Sequence, residues 1–188
     1  MRNYLLLALC VVFLNGCTTL IDSITSEPFE PDPTKTGVLA SLNDVKMSTF
    51  IGVNIKKADE GLDDSHINVT TINSVVLLAG EVPSNELKLL AGNVARAYTG
   101  VRKVHNELQV RGNTTLVSRT NDSIIAAQIK TKLVFEKQVD SSQINVIAED
   151  GIVFLMGLTT KANGNLAADI ASGNSGVRKV VKVFEYVD

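Results

Sequence analysis

Apolar residues fall at two periods along residues 38–188, and the periods alternate in a fixed order. Met47, Ile51 and Ile55 stand four apart, as do Ile125, Ile129 and Leu133. Each set predicts one buried stripe on an amphipathic helix. Asn121-Asp122-Ser123, just before the second stripe, offers N-cap chemistry. Short strand-like runs follow each helix, at Ile67-Asn68-Val69 and Ile144–Ala148, and then at Val75–Ala79 and Ile152–Met156. The later run of each pair is apolar at every position, which predicts a central strand covered on both faces. Between the runs, Asp150-Gly151 is a strong hairpin signal and Asn73-Ser74 a weaker version of it. Pro83 and Ser84 lead into a helix whose apolar face is Leu87, Leu90, Ala91, Val94 and Tyr98. Its counterpart uses Ala162, Leu166 and Ile170, and is weakened by Gly164. Val104–Val110 and Val180–Val187 read as the closing strands.

The order helix, strand, strand, helix, strand is therefore stated twice. Ile67-Asn68-Val69 returns as Ile144-Asn145-Val146, and Val75–Gly80 returns as Ile152–Gly157, both at an offset of 77. Gly100-Val101-Arg102-Lys103-Val104 returns as Gly176-Val177-Arg178-Lys179-Val180 at an offset of 76. That period is longer than a solenoid repeat, so each copy is a small domain. A hairpin followed by a helical crossover gives one antiparallel and one parallel strand pair. The fold class is α+β: two tandem domains at residues 38–111 and 120–188, each with two helices on a three-stranded mixed sheet. The connector from Arg111 to Arg119, containing Gly112-Asn113-Thr114-Thr115, is short enough that the domains should touch.

The N-terminus changes the picture from a plain domain pair to an anchored one. Arg2 precedes an uncharged apolar stretch, Tyr4–Leu14, of signal-peptide length. It ends in Leu14-Asn15-Gly16-Cys17, the lipobox pattern of bacterial lipoproteins. Residues 1–16 are expected to be removed and Cys17 to be acylated, since several acyl chains at about 0.8 kcal/mol per buried CH₂ anchor stably. Thr18 rather than Asp after the cysteine points to the outer membrane. Residues 17–37 then form a linker, with Pro28, Pro31 and Pro33 among acidic and hydroxyl residues. Cys10 and Cys17 are the two cysteines, so the mature chain would keep no free thiol for a disulfide or thiolate metal site. With a formal net charge of −2, bulk nucleic-acid binding is not expected.

The order of motifs in each copy resembles the BON domain: an N-terminal helix, an Ile-Asn-Val strand, an apolar strand ending in Gly, a helix, then Gly-Val-x-x-Val. Gly151, Phe154-Leu155-Met156-Gly157-Leu158 and Ala167-Ala168-Asp169-Ile170-Ala171-Ser172 match that pattern most closely, and the first copy is more divergent. Two such domains behind a lipobox resemble the dual-BON outer-membrane lipoproteins. The resemblance implies binding of anionic phospholipid through the second domain, mainly its first helix, and a role in outer-membrane integrity at the periplasmic side. The exposed Trp of the family pattern aligns with Ile124, in a chain that has no Trp.

The candidate lipid-binding residues lie on that helix. Ile124, Gln128, Thr131 and Phe135 project nearly opposite the stripe Ile125, Ile129 and Leu133, at 100° per residue. Val134 lies near them, and Lys130 and Lys132 flank them. An apolar strip edged by lysines suits an anionic lipid surface. The same strip could instead pack against the first copy, or hold an envelope protein partner as a non-enzymatic scaffold. His66 and His105 occupy different places in the repeat and read as structural or surface residues. Asp59, Glu60, Asp63 and Asp64 lack calcium-loop spacing and read as a solvated loop. Gly80 and Gly157 mark a backbone position that excludes a side chain. Arg102-Lys103 and Arg178-Lys179 read as solvated charge beside a turn. No catalytic constellation, metal cluster or cofactor motif stands out, so an enzyme is not expected.

Overall fold

The computed structural model describes residues 38–113 and 116–187; the predicted signal peptide, Cys17 and the proline-rich linker lie outside the described residues. The first copy runs α1 (Val38–Ala58), α2 (Glu60–Asp63), β1 (Ile67–Ile72), β2 (Val75–Val82), α3 (Asn85–Ala97), β3 (Lys103–Asn106) and β4 (Gln109–Val110). The second runs α4 (Leu116–Phe135), a 3-10 turn at Ser141–Gln143, β5 (Ile144–Glu149), β6 (Ile152–Thr159), α5 (Lys161–Ser172) and β7 (Lys179–Tyr186). In each sheet the second strand is central, antiparallel to the first and parallel to the last. The expected α+β architecture is present in both copies.

Both stripes of spacing four are buried. Met47, Ile51 and Ile55 pack with Val76, Leu78 and Val82 of β2, and Ile125, Ile129 and Leu133 pack with Val153 and Leu155 of β6. Those strand residues alternate with a second set, as the period of two requires. The second set forms a third core: Val75, Leu77 and Ala79 of β2 meet Phe154, Met156 and Val183 of the other sheet. This explains why Val75–Ala79 and Ile152–Met156 are apolar at every position. The two sheets pack back to back, and the helices of each domain lie on the outside. At about 1.5–3 kcal/mol per large side chain removed from water, this seam is a main reason residues 38–188 form one compact unit.

Several elements differ from their sequence reading. Asn121-Asp122-Ser123 is no N-cap, because α4 starts at Leu116 and places these residues inside the helix. The connector is correspondingly shorter. Asp122 is buried, and its carboxylate accepts from the backbone N–H of Asp150 at 2.7 Å and of Gly151 at 2.8 Å. It caps the hairpin turn instead of its own helix. The expected strand Val104–Val110 is broken at Glu107-Leu108, since Leu108 turns into the core and is fully buried. On α5, Ala162 is exposed, and the inward face is Gly164, Ala167 and Ala171. Gly164 lets the helix approach β7, where a β-carbon would lie 3.0 Å from the Phe184 ring. The acidic cluster is a capped helical turn, α2, with the Asp59 carboxylate accepting from Gly61 N–H at 2.8 Å.

Candidate functional site

The outward face of α4 is set by the inward one. Ile125, Ile129 and Leu133 are 0–2% exposed, and the 3.6-residue period then fixes what faces water. Ile124 is 51%, Val134 65% and Phe135 80% exposed. Gln128, Lys130, Thr131 and Lys132 are exposed as well. The structure thus brings all seven candidate residues to one solvent-facing strip, about 16 Å long by the helical rise. Ile124 and Phe135 do not pack against the first domain; the backs of the two sheets form the seam instead.

One edge of the strip is ordered by a residue that sequence reasoning missed. Asn174, buried in the loop after α5, donates through Nδ2 to Gln128 Oε1 at 3.1 Å and accepts from Lys132 Nζ at 2.7 Å. Gln128 and Lys132 are therefore held in place, while Lys130 makes no ion pair or hydrogen bond among the described residues. Thr131 turns its hydroxyl back to Ala127 O at 2.9 Å. The strip is thus a short apolar ridge ending in Val134-Phe135, with a tethered ammonium on one side and a free one on the other. A polar loop residue such as Asn174 has no periodic signature, and only the tertiary contact reveals it.

The arginines of the repeated Gly-Val-Arg-Lys-Val block are exposed beside the turn, as expected, and each makes a structural contact there as well. Arg102 donates to Asn73 O at 3.0 Å, and Arg178 Nε donates to Asp150 O at 2.9 Å. Each clamps the hairpin turn from the side opposite Asp44 or Asp122. His66, at the start of β1, reaches across the seam to Glu149, with Nε2 and Oε1 2.7 Å apart. Arg111 bridges the domains, 3.0 Å from Glu81 and 2.6 Å from Asp150. Arg102 also pairs with Glu185. Beside this polar seam is an open groove of about 360 Å³, bordered by His66, Asn68, Arg119, Ser123 and Glu149.

Two copies of a helix–hairpin–helix–strand unit, each with a glycine at the end of its central apolar run, define a double BON protein. A sequence profile of the BON domain matches residues 54–112 and 121–188, and the chain belongs to that family. It is 34% identical over 179 residues to the outer membrane lipoprotein DolP of Haemophilus influenzae, covering 94% of this chain and 92% of that protein. It is 32% identical to the 21 kDa hemolysin of Actinobacillus pleuropneumoniae, over 83% of this chain and 79% of the other. It is also 32% identical to the osmotically-inducible protein Y of Escherichia coli, over 64% and 62% of the two chains. The first relationship, spanning almost all of both proteins, supports an outer-membrane lipoprotein built from two BON domains. Among the described residues, no helix is long and apolar enough to cross a membrane.

Proposed function

We propose that this chain is anchored through an acylated Cys17 at the periplasmic face of the outer membrane, binds anionic phospholipid there through α4, and thereby supports membrane integrity. The observation that carries the reading is the exposed ridge Ile124, Val134 and Phe135 beside Lys130 and Lys132. Apolar side chains so exposed gain about 1.5–3 kcal/mol each on burial. Each lysine near an anionic surface adds about 1 kcal/mol, screened by salt. Phe135, the most exposed, takes over the inserting role that an interfacial Trp at position 124 would fill.

The chain has no Trp, so Phe135→Trp introduces a single fluorescent reporter on the strip. In unacylated mature protein its emission should shift to the blue with phosphatidylglycerol vesicles, not with phosphatidylcholine vesicles, and the shift should fade with salt. An unchanged spectrum with both would reject lipid binding by α4 and favour the scaffold reading, in which the strip holds an envelope protein. Ile129→Glu is the folding control. A buried unpaired charge should unfold the second domain, whereas Phe135→Glu should leave the melting temperature within a few degrees of wild type. Mass spectrometry of the mature N-terminus tests the anchor: an unmodified Cys17 rejects it.

A further inference from the structure

The features that single out α4 occur again on the first helix of the other domain. Leu42 is 49%, Val45 60%, Phe50 54% and Val53 41% exposed. At 100° per residue these four side chains, with Thr49, share the face opposite Met47, Ile51 and Ile55. At the same step Lys46 and Lys57 fall between Val53 and Phe50 around the helix, and Lys56 between Val45 and Thr49, so the ammonium groups interleave with the apolar side chains. Lys46 and Lys57 make no ion pair among the described residues, and Lys56 has a loose one, 3.5 Å from Asp63. The one acidic residue between Val38 and Ala58 is Asp44, which is buried and occupied by the Asn73-Ser74 turn. The outward face of α1 is therefore apolar with only cationic charge, and among the described residues it has more exposed large apolar side chains than α4. The acidic groups of α2 lie beyond its C-terminal end, so approach to an anionic surface would be led by the Leu42–Val53 stretch.

The layers fix where this face looks. Helix α1 covers one side of the first sheet, α4 covers one side of the second, and the uncovered sides meet each other. The two strips point away from the double sheet in opposite directions, so a flat bilayer touching one leaves the other free. We infer that the α1 face is a second docking surface for anionic lipid, and that one molecule can join two lipid surfaces. Charge complementarity identifies the occupant: a strip with ammonium groups set among its apolar side chains fits a surface of phosphate headgroups over acyl chains, and would repel a second copy of itself. The inference rests on lipid being what α4 binds, for the joining of two surfaces; docking by α1 stands apart from it.

The test uses unacylated mature protein and vesicles of phosphatidylglycerol mixed with phosphatidylcholine. Wild type should sediment with the vesicles and cluster them, seen as increased light scattering that salt reverses. Phe50→Trp should report a blue shift independently of the reporter at Phe135. Phe50→Glu should keep the wild-type melting temperature, still sediment through α4, and lose clustering. Lys46→Glu with Lys57→Glu should give the same loss without touching an apolar residue. Sedimentation velocity without vesicles should show a monomer. Clustering by Phe50→Glu equal to wild type, or no shift from the Phe50 reporter, overturns the inference and leaves the α4 reading intact. A shift at Phe50 with none at Phe135 does the reverse: α1 docks alone, and the joining of two surfaces is lost. A dimer that accounts for clustering, or a protein captured at α1 while vesicles are ignored, also overturns it.

Discussion

The two hairpin turns occupy the same place in the two domains, yet one is made of residues suited to it and the other is not. Both have positive φ at both central residues, as a type I′ turn requires: 45° and 68° at Asp150-Gly151, and 51° and 62° at Asn73-Ser74. Gly151 adopts this conformation without strain, whereas Ser74 carries a β-carbon into a region that costs about 1–2 kcal/mol. What the turns share is tertiary. Asp44 accepts from Asn73 N–H at 2.7 Å and Ser74 N–H at 2.9 Å, as Asp122 does in the other domain. Arg102 and Arg178 hold the opposite side. The first domain thus keeps its turn by the clamp, the second by clamp and propensity together.

The harshest way to break the comparison is at the glycine both domains share. Gly80 has φ 121° and Gly157 φ 145°. A β-carbon would lie 2.1 Å from His66 O in the first case and 1.8 Å from Gln143 O in the second. Backbone cannot yield as a side-chain tip can, so Gly80→Ala or Gly157→Ala should each remove at least about 4 kcal/mol. Urea unfolding followed by circular dichroism measures this. Because Val75, Leu77 and Ala79 are buried against the second sheet, Gly157→Ala should destabilise the first domain as well. A first domain that unfolds as in wild type would show that the seam contributes nothing to it.

Next in size is the clamp. Asp44→Ala and Asp122→Ala each leave two backbone N–H groups without a charged acceptor, and should cost about 2–4 kcal/mol. The loss should be larger for Asp44, whose turn has no glycine to fall back on. Equal losses in urea titrations would refute the division of labour between clamp and propensity. Smaller again is the turn itself. Ser74→Gly should stabilise by about 1 kcal/mol. Gly151→Ser should destabilise by about 1–2 kcal/mol, because strain adds to a β-carbon 2.9 Å from Gly176 O. A stabilising Gly151→Ser would overturn the account.

What was legible in the sequence follows physical rules with short range. The spacing-four stripes, the all-apolar central strands and the repeated glycine each announce a local requirement, and each is met. The helix period directed Ile124 and Phe135 outward but left open whether they meet solvent or the first domain, and their exposure is decided by the sheets meeting back to back instead. The misreadings concern residues whose role depends on distant partners. Asp122 has the chemistry of a helix cap, and the structure turns that chemistry to a hairpin 28 residues on. Arg102 and Arg178 are the solvated turn-side charges expected, but the turn carbonyls they hold come beside them only through the tertiary fold. The break in the first domain's last strand, absent from β7, depends on Leu108 finding space in the core. Asn174, which orders one edge of the α4 strip, belongs to the same class.

The last distinction between the turns is electrostatic and smallest in effect. The second domain places two carboxyls in sequence, Glu149 and Asp150, where the equivalent positions of the first carry Ile72 and Asn73. Their titrations move in opposite directions. Burial pushes Glu149 above the ordinary value of 4.5, helped by Glu81 and Asp122, and the contact with His66 reduces the rise without cancelling it. Burial also acts to raise Asp150, but Arg111 and Arg178 outweigh it and hold the carboxyl below 3.8. A raised folded pKa contributes stability that is full below the unfolded pKa and is lost as pH rises through the folded one. A lowered folded pKa contributes stability that is full above the unfolded pKa and is lost as pH falls through the folded one. Glu149 should therefore make stability decline from about pH 4.5 upward, and Asp150 should make it decline below pH 3.8. Glu149→Gln, which can still accept from His66, should flatten the upper decline, and Asp150→Asn the acid one. Urea midpoints measured across pH for wild type and both variants decide the matter. Parallel curves for wild type and Glu149→Gln would mean that the Glu149 carboxyl is not desolvated at the seam, and that the two turns differ in conformation alone.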